Sequence, residues 1–233
     1  MPIIKLSHGQ ADLEIDLCGA FLVSLKHNRK DILFPRAQLK NSAGEIKTRG
    51  GLHVCLPNFG PDDRFGLKQH GFGREMDWIL VQQSDNKVML ELLGDSQPYE
   101  KLKSTLGIVL ENNKLELELV LKNLGDTTLD VAPAFHPYFL TGADEKLIMV
   151  DGESLKLNEL SGTIFRNNVK TAKINGGKFV FRQTGLSCFA IWTDLLGSYV
   201  CVEPSFAGNA FVDGRPDTLA PSEAKFYSFS LAW

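Results

Sequence analysis

Apolar and polar residues alternate with a period of two along much of the chain. Leu115-Glu116-Leu117-Glu118-Leu119 puts leucines on one side of an extended strand and glutamates on the other. Phe226-Tyr227-Ser228-Phe229-Ser230-Leu231 repeats the pattern near the end of the sequence. Val88 to Leu92, Thr105 to Leu110 and Lys178 to Arg182 are further strand candidates. Turn-forming residues separate these runs. Asn112-Asn113 reads as a tight hairpin, Asn175-Gly176-Gly177 supplies residues that tolerate positive φ, and Asp213-Gly214 reads as another hairpin turn. No long stretch carries the 3.6-residue period of an amphipathic helix. Many short strands at regular spacing predict an all-β fold, an antiparallel sandwich or barrel. No linker, low-complexity run or repeat divides the chain, so residues 1–233 are expected to form one domain.

Composition sharpens this picture. The chain is 43% hydrophobic and 23% charged, enough to bury a sizeable core. A formal net charge of -3 argues against a phosphate-tracking surface, so no nucleic-acid partner is expected. The opening MPIIKLSHGQ lacks a cationic segment followed by an apolar run, and no stretch approaches the ~18 apolar residues of a membrane span. The expectation is a cytoplasmic protein with no membrane partner. Cys18, Cys55, Cys188 and Cys201 have no metal-ligand spacing and are expected to be free thiols.

Three segments break the pattern and concentrate His, Arg and Glu. Thr48 to Trp78 holds His53, His70 and three arginines among Gly and Pro residues, and reads as a binding loop or a solvated surface loop. In Ala134 to Phe139, His136 stands among aromatics. Burial there would tune it for proton transfer, or it is a core histidine bonded to backbone. In Tyr199 to Pro204, Glu203 interrupts an apolar run, as a carboxylate of raised pKa or one held in a salt bridge. His53, His70 and His136 lack zinc spacing; a three-histidine site assembled in three dimensions is the minor alternative, and no metal or other cofactor is expected.

Four short motifs occur in order across residues 49 to 204. They are Arg49-Gly50-Gly51 with Pro57-Asn58-Phe59-Gly60, His70-Gly71-Phe72-Gly73-Arg74 with Trp78, Phe135-His136-Pro137-Tyr138-Phe139, and Cys201-Val202-Glu203-Pro204. Together they resemble the motifs of the aldose 1-epimerase (mutarotase) superfamily, in particular its hexose-6-phosphate epimerase branch. The resemblance implies a large antiparallel β-sandwich. It also implies interconversion of the α and β anomers of a hexose or hexose 6-phosphate. Glu203 would be the base at the anomeric hydroxyl and His136 the acid at the ring oxygen. Arg49, His70 and Arg74 match substrate-binding positions. The implied partner is a small sugar or sugar phosphate, and no cofactor is needed.

Two features depart from the family pattern. The chain is shorter than many members, and Glu159 to Asn168 lacks the aspartate expected there, while Asp194 further on has no assigned counterpart. Arg64 and Lys68 are candidates for extra positive charge, or simply face water. A related enzyme, such as a sugar lyase or isomerase, is one alternative that would use the same pair; the other, on the same fold, is a carbohydrate-binding protein without catalysis, because a scaffold hosts many functions. Such a protein needs no acid–base pair.

Overall fold

The computed structural model of the protein describes residues 3–233; Met1 and Pro2, part of the opening stretch read above, lie outside the described residues. Two nine-stranded antiparallel sheets make the fold, a β-sandwich. In the first, the strands run in spatial order Ile3–His8, Ala11–Asp16, Phe21–His27, Leu52–Cys55, Ala134–Leu140, Tyr199–Ser205, Cys188–Trp192 and Ile164–Asn167, with Lys30–Asp31 alongside Phe21–His27. In the second the order is Glu153–Lys156, Leu147–Val150, Thr171–Ile174, Gly177–Thr184, Ala224–Ala232, Lys114–Asn123, Leu102–Glu111, Lys87–Leu93 and Ile79–Gln83. Among the described residues, the only helical elements are the 3-10 turns Tyr99–Lys101 and Leu157–Glu159. Among these residues no helix is long and apolar enough to cross a membrane.

One continuous core takes side chains from both sheets. Leu13, Leu22, Val54, Phe135, Val200 and Val202 come from the first. Leu106, Leu117, Phe181, Phe229 and Leu231 come from the second. The five runs with clean alternation all fall in the second sheet. Its outer face is open to water, so leucines point in and charged residues out, as in Lys114–Asn123. The Asn112-Asn113 turn joins two ten-residue strands paired from Leu102↔Asn123 to Glu111↔Lys114. Asn175 and Gly176, both at positive φ, turn the Thr171–Ile174 strand into Gly177–Thr184.

Two expectations are corrected. Asp213-Gly214 is a turn inside the 206–216 loop and closes no hairpin, because the following strand, Asp217–Leu219, pairs with Leu129–Val131. Thr48 to Trp78 is also not wholly irregular. Leu52–Cys55 within it is an interior strand of the first sheet, between Phe21–His27 and Ala134–Leu140. Alternation is lost there because both faces are covered: Leu52–Cys55 and Tyr199–Ser205 are buried at every position, and Ala134–Leu140 at all but Leu140.

Candidate active site

The three interior strands Leu52–Cys55, Ala134–Leu140 and Tyr199–Ser205 lie side by side. Their even-odd alternation sends Val54, Phe135 and Val202 into the core. His53, His136 and Glu203 therefore point to the opposite face. Register aligns them. His136 pairs with His53, and the Ala134↔Ser205 and Tyr138↔Cys201 pairs bring position 136 opposite position 203.

These side chains form the floor of a cleft of about 760 Å³, within the ~300–1,000 Å³ typical of small-molecule sites. His136 Nε2 lies 3.2 Å from Glu203 Oε2, and both side chains are almost wholly buried. The contact is close but not aligned for a hydrogen bond: Glu203 Oε2, His136 Nδ1 and both ring nitrogens of His53 lack a partner among the described residues. Catalytic groups often stand this way until a substrate completes their geometry. The His136 ring stacks on His53 and on Tyr138, each at 4.7 Å between centroids, and meets the edge of His70 at 4.8 Å. Burial pushes the Glu203 carboxyl well above its ordinary range. Burial, reinforced by His53, His70 and Arg74, pulls His136 well below its own. Both shifts favour the uncharged forms.

The walls come from loops fixed by backbone contacts. Gly51, at positive φ, packs against the Leu22 carbonyl, where any side chain would collide. This close approach sets the start of the His53 strand. His70 itself adopts a left-handed conformation, φ 70°, uncommon for a residue with a side chain. Its N–H donates to the Phe59 carbonyl at 2.9 Å, and its ring, beside Cys55 Sγ at 3.3 Å, is aimed at His136. Burial first, then Arg74 and Arg49, pulls its pKa down to about 3. Buried Trp78 donates its indole N–H to the Gly73 carbonyl at 2.9 Å, which holds the loop carrying Arg74. Phe59, Phe165 and Trp192 add aromatic surface to the cleft.

The expected binding residues Arg49, His70 and Arg74 all line this cleft. Arg49 is held from behind. Its Nε–H donates to Asp194 Oδ2 at 2.8 Å, its guanidinium lies over Trp192, and the Tyr199 hydroxyl donates to the other Asp194 oxygen. Arg36 and Lys47 also reach the cleft, paired with Asp16 at 3.1 Å and Glu45 at 3.0 Å. Arg74 alone among these four cations has no acidic partner among the described residues. Arg64 and Lys68, considered as extra positive charge, do not line the cleft. Arg64 is instead tied to Asp62 and Asp130, with the Phe65 and Phe211 rings beside it, and Lys68 is exposed. All four cysteines are free, Cys55 and Cys201 being buried.

Burial by itself raises the Asp194 carboxyl, but hydrogen bonds from Tyr199, the Leu196 amide and Arg49 overcome this and leave it below its ordinary value. Its folded value is then below the ~3.9 of an unfolded aspartate. The contribution to stability is complete above the unfolded value and disappears as pH falls through the folded one. Between about pH 5 and pH 3, urea midpoints of the wild-type protein should therefore fall more steeply than those of Asp194→Asn. Parallel slopes would show that the pair adds nothing.

The aldose 1-epimerase family model matches residues 2–194. The chain belongs to the aldose 1-epimerase family. Two bacterial relatives bear the name "Putative glucose-6-phosphate 1-epimerase". The Salmonella typhimurium protein is 34% identical over 93 residues, covering 39% of this chain and 31% of that protein. The Escherichia coli protein is 25% identical over 179 residues, covering 73% and 60%. The matched stretches thus span less than two thirds of either relative. Among crystal structures, a galactose mutarotase-like protein from Lactobacillus casei overlays 99% of each chain with a TM-score of 0.80 at 15% identity. A galactose mutarotase related enzyme from Lactobacillus acidophilus overlays 99% of this chain and 97% of its own with a TM-score of 0.80 at 16% identity. These likenesses show that the sandwich is the epimerase fold. Arg49, His53, His70, Arg74 and His136 fall within the family match; Glu203 lies beyond it, and its place in the site rests on its pairing opposite His136.

Proposed function

We propose that this aldose 1-epimerase family member interconverts the anomers of a hexose or hexose 6-phosphate by acid–base ring opening at His136 and Glu203. The observation that carries the reading is the 3.2 Å contact between His136 Nε2 and Glu203 Oε2 on the floor of the cleft. In a hemiacetal the hydroxyl oxygen and the ring oxygen share one carbon, so adjacent groups can serve both. One group takes the proton from the anomeric hydroxyl, the C1=O bond forms, the bond from C1 to the ring oxygen breaks, and the other group protonates that oxygen. Rotation about C1–C2 and the reverse transfers close the other anomer.

The pair works with a single proton between its members. Ring opening with Glu203 as base and His136 as acid starts from carboxylate and imidazolium. It ends with carboxylic acid and neutral imidazole, the uncharged arrangement that burial favours. Arg49, His70 and Arg74 would hold the sugar, with Phe165 and Thr163 lining the wall where the family's aspartate was sought.

A protein that only bound sugar would need hydrogen-bonding groups and aromatic surface, but not a buried histidine and carboxylate 3.2 Å apart. Each buried polar atom left without a partner costs about 1–3 kcal/mol, and within the pair one such atom sits on His136 and one on Glu203 among the described residues. The reading is tested by polarimetry on freshly dissolved α-glucose, α-galactose and glucose 6-phosphate. Relaxation faster than the spontaneous rate, in proportion to protein added, is expected for at least one. Unchanged relaxation across the panel would end the proposal.

A further inference from the structure

His53 has no role in the acid–base chemistry, yet it is buried in the cleft floor with neither ring nitrogen partnered among the described residues. Cys55 lies two residues on, so its side chain emerges on the same face of the same strand. His70 closes the group from the neighbouring loop, with Nδ1 3.3 Å from Cys55 Sγ. One donor atom from each of the three lies within 4.8 Å of those of the others. Zinc bound at ~2.0–2.1 Å to nitrogen and ~2.3 Å to sulfur needs donors about 3.3–3.7 Å apart in a tetrahedron. The donors therefore have at most about an ångström and a half to close. Two imidazoles and a thiolate also suit a borderline-soft cation and not a hard one such as magnesium.

We propose that His53, Cys55 and His70 form a binding site for a zinc-class cation in the cleft floor, and that its occupancy shuts off the site. The Cys55 thiol gives up its proton to the solvent as the sulfur–metal bond forms. The thiolate charge, repelled by Glu203 and attracted by Arg74, would be offset mainly by the cation itself, with His53 and His70 on the cleft side and Cys55 behind them. A cation there ties down His70 and fills the space next to the His136 ring, which stacks on His53 and touches His70. The metal would be an inhibitor, not a cofactor. That consequence rests on the epimerase reading, whereas binding of the metal does not.

The test uses the whole chain, stripped with a chelator and titrated with Co²⁺ and then Zn²⁺. One Co²⁺ per chain is expected, with a thiolate-to-metal charge-transfer band in the near ultraviolet. Cys55→Ala should abolish the band and weaken zinc binding at least tenfold, given that outer-shell partners alone are worth ~10–100-fold. His53→Phe, which keeps an aromatic ring against His136, should weaken zinc in the same way. Anomer exchange should be full in the stripped protein, fall on addition of zinc, and return with chelator. In Cys55→Ala it should persist with zinc present. Absence of Co²⁺ binding by the folded wild-type chain would overturn the proposal. So would a band that follows Cys201→Ala in place of Cys55→Ala, which would place the cation in the neighbouring donor group His136, Cys201 and Glu203, or exchange that appears only with zinc. A stripped protein with no exchange but a normal Co²⁺ band would uphold the metal site and remove the epimerase reading.

Discussion

Glu203→Gln and His136→Asn should each lower kcat for anomer exchange by at least about two orders of magnitude, because general acid–base groups contribute ~10²–10⁴-fold. Glutamine keeps the shape of the side chain but takes up no proton, and asparagine keeps polarity without a titrating ring. The two positions face each other across one strand pair, 3.2 Å apart at the side chains. They act on one hemiacetal, so the double variant should lose much less than the product of the two single losses. Both variants should remain folded and still bind sugar, since Arg49, His70 and Arg74 are untouched. Urea denaturation and a binding isotherm establish those controls. Near-normal kcat in either folded variant would shift the reading to a sugar-binding protein.

Arg74→Gln should cost roughly 10–100-fold in kcat/KM on a hexose 6-phosphate and little on the free hexose. A hydrogen bond to a charged group is worth about 1.5–3 kcal/mol. Arg36, Lys47 and Arg49 each already hold an acidic partner, whereas Arg74 holds none among the described residues. An incoming phosphate therefore finds its least compensated cation there. Arg49 is the less selective probe, because removing it also strands Asp194 beside Tyr199. Steady-state kinetics on glucose and glucose 6-phosphate separate the cases. Equal loss on both substrates would make Arg74 a general sugar contact, and faster exchange on the free hexose in the wild-type protein would count against an anionic substrate.

The sequence disclosed the second sheet better than the first. Lys114–Asn123 and Ala224–Ala232 have one wet face, so their alternation is visible in the residues themselves. The strands that carry the site have none. Ala134–Leu140 is buried on the core side by Phe135 and Phe139 and on the cleft side by His136 and Tyr138. A fully covered strand has no polar side to reveal it. Leu52–Cys55 was hidden for the same reason, and with it His53 and its alignment with His136. His53 and Cys55 are two apart, a strand spacing, but that signal carries weight only once the strand is known. His136, Glu203, Arg49, His70 and Arg74 were legible through the motifs around them, and the structure brings all five to one cleft. Asp194 was visible in the sequence but its role was not, because its contact with Arg49 spans 145 residues. Arg36 likewise reaches the cleft from a separate segment, and Arg64, which looked available, is consumed by Asp62 and Asp130.

The central claim is that this cleft exchanges anomers and does not merely hold a sugar. Exchange NMR on an equilibrium mixture of glucose 6-phosphate anomers measures this without any net reaction. The account predicts cross-peaks between the α and β anomeric protons that grow with wild-type protein and fall to the spontaneous level with Glu203→Gln at equal sugar occupancy. Sugar signals that broaden on binding to the wild-type protein, with anomer exchange no faster than in buffer, would contradict it.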